Sequence, residues 1–257
     1  MRKMGVGRSV FAASMVLAGA LSIAFRDFAL VFGQVPKTVA AHDALAMASG
    51  AILLLGGMAL LVPWSARIAA LLLALVLLLF LLLLRSPGVV MHPLVETSWY
   101  GAGETLTMAA GAWTVFSTLP ARGEPLARVG SARAGQIAFA LALIPLGLAH
   151  VFYLGQTAPL IPPWLPFHVP LAYATGAAHI AAGLGMLLGV VPRLAATLEA
   201  VMVSLFTLII WVPAVIAAPK PDAWTELAVS AAISGAAWAV AESFRATARH
   251  GNGGRFR

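Results

Sequence analysis

Long apolar stretches alternate with short polar or proline-containing breaks along almost the whole chain. A membrane-spanning helix needs roughly 20 mostly apolar residues, and eight stretches meet or nearly meet that requirement. They lie at 9–33, 41–62, 67–85, 100–119, 135–155, 170–190, 193–213 and 223–242. The pattern predicts an all-α polytopic membrane protein with eight transmembrane helices, interrupted at dipeptides such as Ser86-Pro87.

A polar stretch at 120–134 divides the chain almost in half and prompts a search for an internal repeat. A shift of 126 residues aligns Pro36 with Pro162, His42 with His168, Arg67 with Arg193 and Phe80 with Phe206. After a slip of four residues, Glu104 aligns with Glu226. The predicted organisation is a four-helix unit at 1–119, a cytoplasmic linker at 120–134, a second four-helix unit at 135–244 and a basic tail at 245–257. Because four is an even number, the two units are predicted to be parallel repeats.

Composition supports the membrane assignment, because 61% of the residues are hydrophobic and only 10% are charged. These values exclude an ordinary soluble domain and a disordered chain. Of the 16 Lys and Arg residues, all but Arg26, Lys37, Arg85 and Lys220 fall on the predicted face that carries both termini. The positive-inside rule therefore predicts cytoplasmic termini. The net charge of +7 is a signal of topology, and no nucleic-acid partner is predicted.

Two further features of the sequence narrow the chemistry. The chain has no cysteine, which excludes disulfides, thiol redox chemistry and cysteine-ligated iron–sulfur or zinc sites. It also lacks the HExxH, GxSxG and phosphate-loop motifs, and no metal site is predicted. The basic start followed by an apolar run also resembles a signal peptide cleaved near 20–24. The repeat favours retention of this span, because cleavage would leave the first unit with three helices.

Ionisable side chains inside the predicted spans are few, and such residues are costly in lipid and often functional. Glu226 lies about one turn inside its span, and is either a proton-handling carboxyl or a glutamate favoured by the helix dipole. His179 and Glu199 are predicted to pair across a helix hairpin, either as a structural hydrogen bond or as a proton path toward His168 and Glu226. His168 itself either lies at the mouth of a site or caps a helix. Arg26 and Asp27, in the first unit, are predicted to form a local pair.

Aromatic residues accompany these groups in the second unit. A quinone site needs an apolar cleft open to lipid, aromatic walls, and one or two imidazole or carboxyl groups for the ring oxygens. We predict a site with catalytic residues Glu226, His168, His179 and Glu199, and with cofactor-contacting residues Trp164, Phe167, Trp224 and His150. The proline-rich segment 160–170 is predicted to fold back over the bundle. The same constellation is compatible with binding a lipid or a hydrophobic peptide.

The second unit carries four features in order: a first helix ending in Gly-Leu-Ala-His150, PPWLP at 162–166, AAHIAAGLGMLLGVVPRLAA at 177–196, and Glu226 opening the last helix. In these features it resembles the DoxX family of small four-helix bacterial membrane proteins. The first unit is similar through SGAILLLGGMALLVPWSARIAA at 49–70 and Glu104. Two positions depart from the family: His179 stands where a glutamate is frequent, and Ala24 where the first helix usually ends on histidine.

The resemblance implies an oxidoreductase component of the bacterial inner membrane that interacts with a quinone. Electrons would come from a redox partner protein or a soluble substrate, because the chain has no cysteine and no recognised cofactor motif. Related members also include cargo receptors without catalytic activity. The alternative is therefore a non-enzymatic membrane carrier or scaffold that binds a lipid, a small hydrophobic molecule or a partner protein.

Overall fold

A computed structural model describes residues 4–31, 35–120 and 131–252, with side chains described as far as Arg245. Within these ranges the chain is all helical, without strands. Eight long helices follow one another: α1 (Val6–Phe25), α2 (His42–Leu61), α3 (Ala66–Met91), α4 (Glu96–Thr118), α5 (Ala132–Phe152), α6 (His168–Leu188), α7 (Pro192–Ala217) and α8 (Pro221–Asn252). Most of the predicted linker at 120–134 and much of the predicted tail at 245–257 lie outside the described residues.

Seven of these helices are long and apolar enough to cross a membrane, and α4 is not among the seven. The lengths and hydropathy of these helices are those of a multi-pass membrane protein. α4 is more polar, and 12 of its 23 residues are buried. It contacts α3, α5 and α8, and a helix covered by its neighbours needs less apolar surface than one that faces lipid. The count of eight spans stays a prediction.

The predicted break at Ser86-Pro87 is wrong, because α3 continues through this dipeptide to Met91. A proline inside a helix lacks an N–H group and clashes with the carbonyl group four residues earlier. In α3 the five residues Leu81–Arg85 form a π-helical turn, which only Ser86 separates from Pro87. α7 has the same arrangement, with a π-helical turn at Thr207–Trp211 that only Val212 separates from Pro213. Both helices therefore accommodate a proline near one end without stopping.

The helix starts recur after 126 residues: Val6 and Ala132 for α1 and α5, His42 and His168 for α2 and α6, Ala66 and Pro192 for α3 and α7, and Leu81 and Thr207 for the π-helical turns. The contacts between helices recur as well. α1 packs on α2 and α8, whereas α5 packs on α6 and α4. α3 packs on α2 and α4, whereas α7 packs on α6 and α8. The first helix of each half thus packs against the last helix of the other half.

α4 and α8 pack on each other and belong to two circuits of neighbouring helices. The first ring consists of α1, α2, α3, α4 and α8, and the second ring consists of α5, α6, α7, α8 and α4. Small residues permit the close approaches: a Cβ atom on Gly50 of α2 would lie 2.9 Å from the carbonyl oxygen of Gly19 on α1. A Cβ atom on Gly176 of α6 would lie 2.8 Å from the carbonyl oxygen of Gly147 on α5. Such contacts are typical of helix packing in membranes.

Candidate ligand-binding cavity in the second ring

The second ring encloses a cavity of about 460 Å³ at the end of the bundle that carries the α5–α6 connection. All five helices of the ring and the connection contribute to its lining. Most of the lining is apolar or aromatic, and includes Leu146, Val203, Phe206, Ile210, Trp211, Val229 and Ile233. Ligand sites are usually apolar cavities of about 300–1,000 Å³ with a few convergent polar groups. The cavity has this size and character.

The first polar wall of the cavity is acidic, and combines Glu104 of α4 with Glu226 of α8. The Tyr100 hydroxyl donates a hydrogen bond to the Glu104 carboxylate. Nη2 of Arg85 lies 4.0 Å from Oε2 of Glu104. The structure thus brings the two repeat-related glutamates to one cavity, although the sequence assigns them to different units. Sequence reasoning missed Arg85 and Tyr100 as site residues.

The second polar wall contains the imidazole rings of His150 on α5 and His179 on α6, whose centroids are 5.5 Å apart. Nδ1 of His150 lies 3.1 Å from the Thr175 hydroxyl. Nδ1 of His179 lies 2.8 Å from Oε1 of Glu199, which is only 1% exposed. Phe206 lies beside both rings, with its centroid 6.4 Å from that of His150 and 6.1 Å from that of His179. The structure therefore places His179 and Glu199 together, as their spacing predicts.

The hydrogen bond between His179 and Glu199 orients the imidazole ring. In a neutral ring, the Nδ1–H group donates to the Glu199 carboxylate, and Nε2 keeps the lone pair that accepts a proton. A carboxylate behind a histidine also stabilises the imidazolium ion that forms when Nε2 is protonated. The second carboxylate oxygen of Glu199, Oε2, is buried without a protein hydrogen-bond partner among the described residues. The pair has the arrangement of an imidazole that exchanges protons with a ligand in the cavity.

The connection between α5 and α6 covers the cavity. It contains a short helix at Leu154–Thr157 and a turn of 3₁₀ helix at Ala158–Leu160. Gln156 and Ile161 contribute to the lining, together with other residues of the connection. The Thr97 backbone N–H of α4 donates a hydrogen bond of 3.0 Å to the hydroxyl oxygen of Tyr153 at the start of the connection. This bond ties the cover to the opposite wall.

Four residues of the predicted site do not line this cavity. Nε2 of His168 lies 3.3 Å from the carbonyl oxygen of Pro162, and the side chain does not meet Glu226 across the cavity. Trp164 and Phe167 are 71% and 74% exposed, respectively. Trp224 packs against the helix core instead. Because α6 begins at His168, the residues just before it lie beyond the part of the helix that lines the cavity.

In the corresponding region of the first ring, side chains of the described residues pack closely around Phe80. Phe28, Val31, Ala46 and Phe80 form a buried apolar cluster. The ring centroid of Phe28 lies 6.0 Å from that of Phe80, and Phe80 is the residue equivalent to the cavity-lining Phe206. The positions equivalent to His150 and His179 are Ala24 and Leu53, and this ring therefore lacks the imidazole wall.

Asp27 fixes the segment that fills the first ring. Its Oδ1 accepts a hydrogen bond of 2.7 Å from the Phe28 backbone N–H. Its Oδ2 lies 3.0 Å from Nζ of Lys37, and its Oδ1 lies 3.6 Å from Nε2 of the buried His42. The predicted local pair between Arg26 and Asp27 is replaced by these contacts. Arg26 adopts a left-handed conformation with φ of 51° where α1 ends, and the chain changes direction there.

Comparison of this chain with models of protein families, with curated proteins and with solved structures finds no match. The resemblance to the DoxX family therefore stays a prediction from the motifs in the sequence.

Proposed function

We propose that this protein is a quinone-binding component of a membrane oxidoreductase, and that the cavity of the second ring is its quinone site. One observation carries the proposal: a largely apolar cavity within a bundle of apolar helices contains two distinct polar walls. A quinone headgroup has oxygen atoms on opposite edges of an apolar ring. The acidic wall and the imidazole wall offer groups to both edges, and the apolar lining accommodates the ring and the start of a prenyl tail.

The proposal includes the membrane topology. All eight long helices cross the membrane, α4 included, as two tandem four-helix units related by an axis along the membrane normal. This is supported by the recurrence of helix bounds after 126 residues and by the mutual packing of α4 and α8. The distribution of Lys and Arg favours cytoplasmic termini in a bacterial inner membrane. In this orientation the cavity lies in the outer half of the bilayer.

Each polar wall has a separate task in this proposal. His179, held by Glu199, would exchange one proton with one ring oxygen through Nε2, and Glu226 would exchange the second proton with the other ring oxygen. Phe206 and Trp211 contact the faces of the ring, and the α5–α6 connection excludes water. A bound quinone supplies reversible two-electron, two-proton chemistry, and the electrons are exchanged with a partner protein or a soluble substrate. His168, Trp164, Phe167 and Trp224 have no contact role in the cavity.

Binding of decylubiquinone to the purified protein in lipid nanodiscs tests the proposal. We expect saturable quenching of tryptophan fluorescence, with affinity reduced at least tenfold in Ala172→Phe. Ala172 is buried in the wall of the cavity, and a phenyl ring there occupies the space of the ligand. Leu208→Phe is the matched control, because Leu208 is exposed on the outer surface of α7. Unsaturable quenching, or equal affinities for Ala172→Phe and the unchanged protein, would refute a quinone site in this cavity.

A non-enzymatic carrier is the second candidate, and the predominance of apolar residues in the lining favours it. The two functions differ in turnover. Quinol oxidation is measured in membranes that contain the chain, in membranes that lack it, and in membranes that contain Glu226→Gln. If the protein is an oxidoreductase component, we expect the oxidation rate in membranes that contain the unchanged chain to exceed the other two rates. A carrier binds decylubiquinone and leaves the three oxidation rates equal.

A further inference from the structure

The two glutamates of the acidic wall come from equivalent helices, but their neighbours differ. Glu104 accepts a hydrogen bond from Tyr100 and lies 4.0 Å from the guanidinium group of Arg85, and the Glu104 and Arg85 side chains are each 13% exposed. Arg85 ends the π-helical turn of α3. The equivalent residue of α7 is Trp211, which lines the cavity. Only the first half of the chain therefore contributes an arginine to this wall.

Gly101 allows the guanidinium group to lie against α4. A Cβ atom at this position would lie 2.6 Å from Nη1 of Arg85 and 3.0 Å from Cζ. The glycine is one residue from Tyr100 and about one helical turn from Glu104. The absence of a side chain at 101 therefore leaves room for the guanidinium group beside the carboxylate of Glu104. Glu226 contributes to the same wall from α8.

Charge balance makes the two carboxyl groups unequal. Carboxylates that share a site of low dielectric constant do not both remain ionised without compensating charge. One guanidinium group and one phenol hydroxyl compensate a single carboxylate. The groups that face this wall are Arg85 from α3, Tyr100 and Glu104 from α4, the exposed Asp222 and Glu226 from α8, and His150 and His179 from the opposite wall.

We propose that Arg85 is a positioning residue that holds Glu104 as the ionised carboxylate and leaves Glu226 as the proton-carrying carboxyl of the cavity. In its protonated form, Glu226 donates a hydrogen bond to an acceptor oxygen of the ligand. Glu104 interacts with Tyr100 and Arg85 in its ionised form, and does not donate a hydrogen bond to the ligand. This inference rests on the proposed function for the identity of the ligand, but not for the division of roles between the two carboxyl groups.

Infrared spectroscopy of the purified protein at neutral pH tests this division without a ligand. A protonated carboxyl group gives a carbonyl-stretching band that shifts in D₂O. An ionised carboxylate does not give this band. We expect Glu226→Gln to remove a component of this band and Glu104→Gln to leave that component in place. Glu199→Gln and Glu96→Gln identify any components from the buried Glu199 and from Glu96, whose carboxylate oxygens are buried. Retention of the component in Glu226→Gln, or its loss in Glu104→Gln, overturns the proposal.

Arg85 variants test its part in the division. In Arg85→Met, Glu104 loses its compensating charge, and we expect it to share the proton with Glu226. In the double variant Arg85→Met with Glu226→Gln, part of the band component therefore remains, on Glu104. Arg85→Lys restores the original pattern, which a merely structural role does not explain. Gly101→Leu displaces the guanidinium group without removing the arginine, and is expected to behave as Arg85→Met does. If adding Glu226→Gln to Arg85→Met still removes the whole component, Arg85 has no such role.

The same variants distinguish this inference from the proposed function. If the band follows Glu226 and decylubiquinone does not bind, the division of roles holds and the quinone proposal fails. If decylubiquinone binds in the cavity and the band does not follow Glu226, the quinone proposal holds and the role of Arg85 is refuted.

Discussion

In the first ring, Phe28 of the α1–α2 connection packs against Phe80 of α3, whereas in the second ring the equivalent phenylalanine, Phe206, faces a cavity. The two connections are nearly equal in length, at 26–41 and 153–167. Their chemistry differs: the residues after Asp27 are Phe-Ala-Leu-Val, and those after Tyr153 are Leu-Gly-Gln-Thr. An apolar segment enters its ring, and a more polar one covers its ring. The difference in these four residues thus accompanies the difference between a phenylalanine packed in a cluster and one that lines a cavity.

The interiors of the two rings also differ in polarity. The hydrogen-bonded pair of His179 and Glu199 in the second ring occupies positions equivalent to Leu53 and Leu73, both buried in the first. Replacing a buried pair of polar groups by apolar residues of similar size is often neutral or stabilising, and stability alone therefore does not account for this pair. Under the proposed function, its place next to the cavity gives it a role in proton exchange with the ligand.

The largest expected effect is that of Glu199→Leu, which leaves the buried His179 without its partner. Loss of one member of a buried pair costs about 3–5 kcal/mol in the free energy of unfolding. His179→Leu combined with Glu199→Leu reproduces the residues of the first ring and is expected to recover most of that loss. Thermal unfolding of the purified variants in one detergent measures both. If the double variant is as unstable as the single one, the two interiors are not interchangeable.

Truncation of a phenylalanine in each ring compares the packed cluster of the first ring with the cavity of the second ring. Phe80→Ala removes a ring that is 7% exposed in a packed cluster and is expected to cost about 3–5 kcal/mol. Phe206→Ala is expected to cost less than half as much, because one side of Phe206 already lacks contacts. The same unfolding assay compares the two. Equal losses would mean that the second ring is packed as tightly as the first.

Asp27→Ala tests what keeps the α1–α2 connection inside its ring. The variant leaves the Phe28 N–H without its acceptor, and removes the partner of Lys37. We expect a loss of about 1–3 kcal/mol and faster amide hydrogen exchange at 28–31. Asp43→Ala is the control, because the exposed Asp43 also lies 3.2 Å from His42, but does not contact Phe28 or Lys37. Unchanged exchange at 28–31 in Asp27→Ala would show that apolar packing alone holds the segment.

The smallest effect is expected for His168→Ala and Trp164→Phe. Both residues lie outside the cavity lining, and their substitution is expected to change the affinity for decylubiquinone less than twofold. The fluorescence titration is repeated with each variant and corrected for the lost tryptophan. A tenfold loss in His168→Ala would move the site from the cavity to the start of α6.

The sequence predicts helices well, because apolar length is a local property. It also predicts the His179–Glu199 pair, because helices joined by a short turn are neighbours. It does not reveal that α4 and α8 are shared by both rings, since hydropathy identifies spans without their neighbours. The alignment of Glu104 with Glu226 was the available signal, because equivalent residues of parallel repeats meet near the axis between them.

The positions of two other side chains, Phe28 and Arg85, are not indicated by any pattern in the sequence. Phe28 belongs to an apolar stretch predicted as the span 9–33, and only the end of α1 at Phe25 shows that it enters the ring from a connection. Arg85 was counted as a basic residue flanking a span, and the sequence does not show which way a side chain at a helix end points. Its position against Gly101 depends on the packing of α3 on α4.

Photoaffinity labelling with an azido-quinone, followed by mass-spectrometric mapping of the labelled residues, locates the bound ligand on the chain. If the cavity of the second ring is the quinone site, its lining residues in 146–161 and 203–211 are labelled, and excess decylubiquinone removes this label. Label confined to the equivalent residues of the first ring, or label on exposed helix faces that excess decylubiquinone does not displace, would mean that the cavity is not a quinone site.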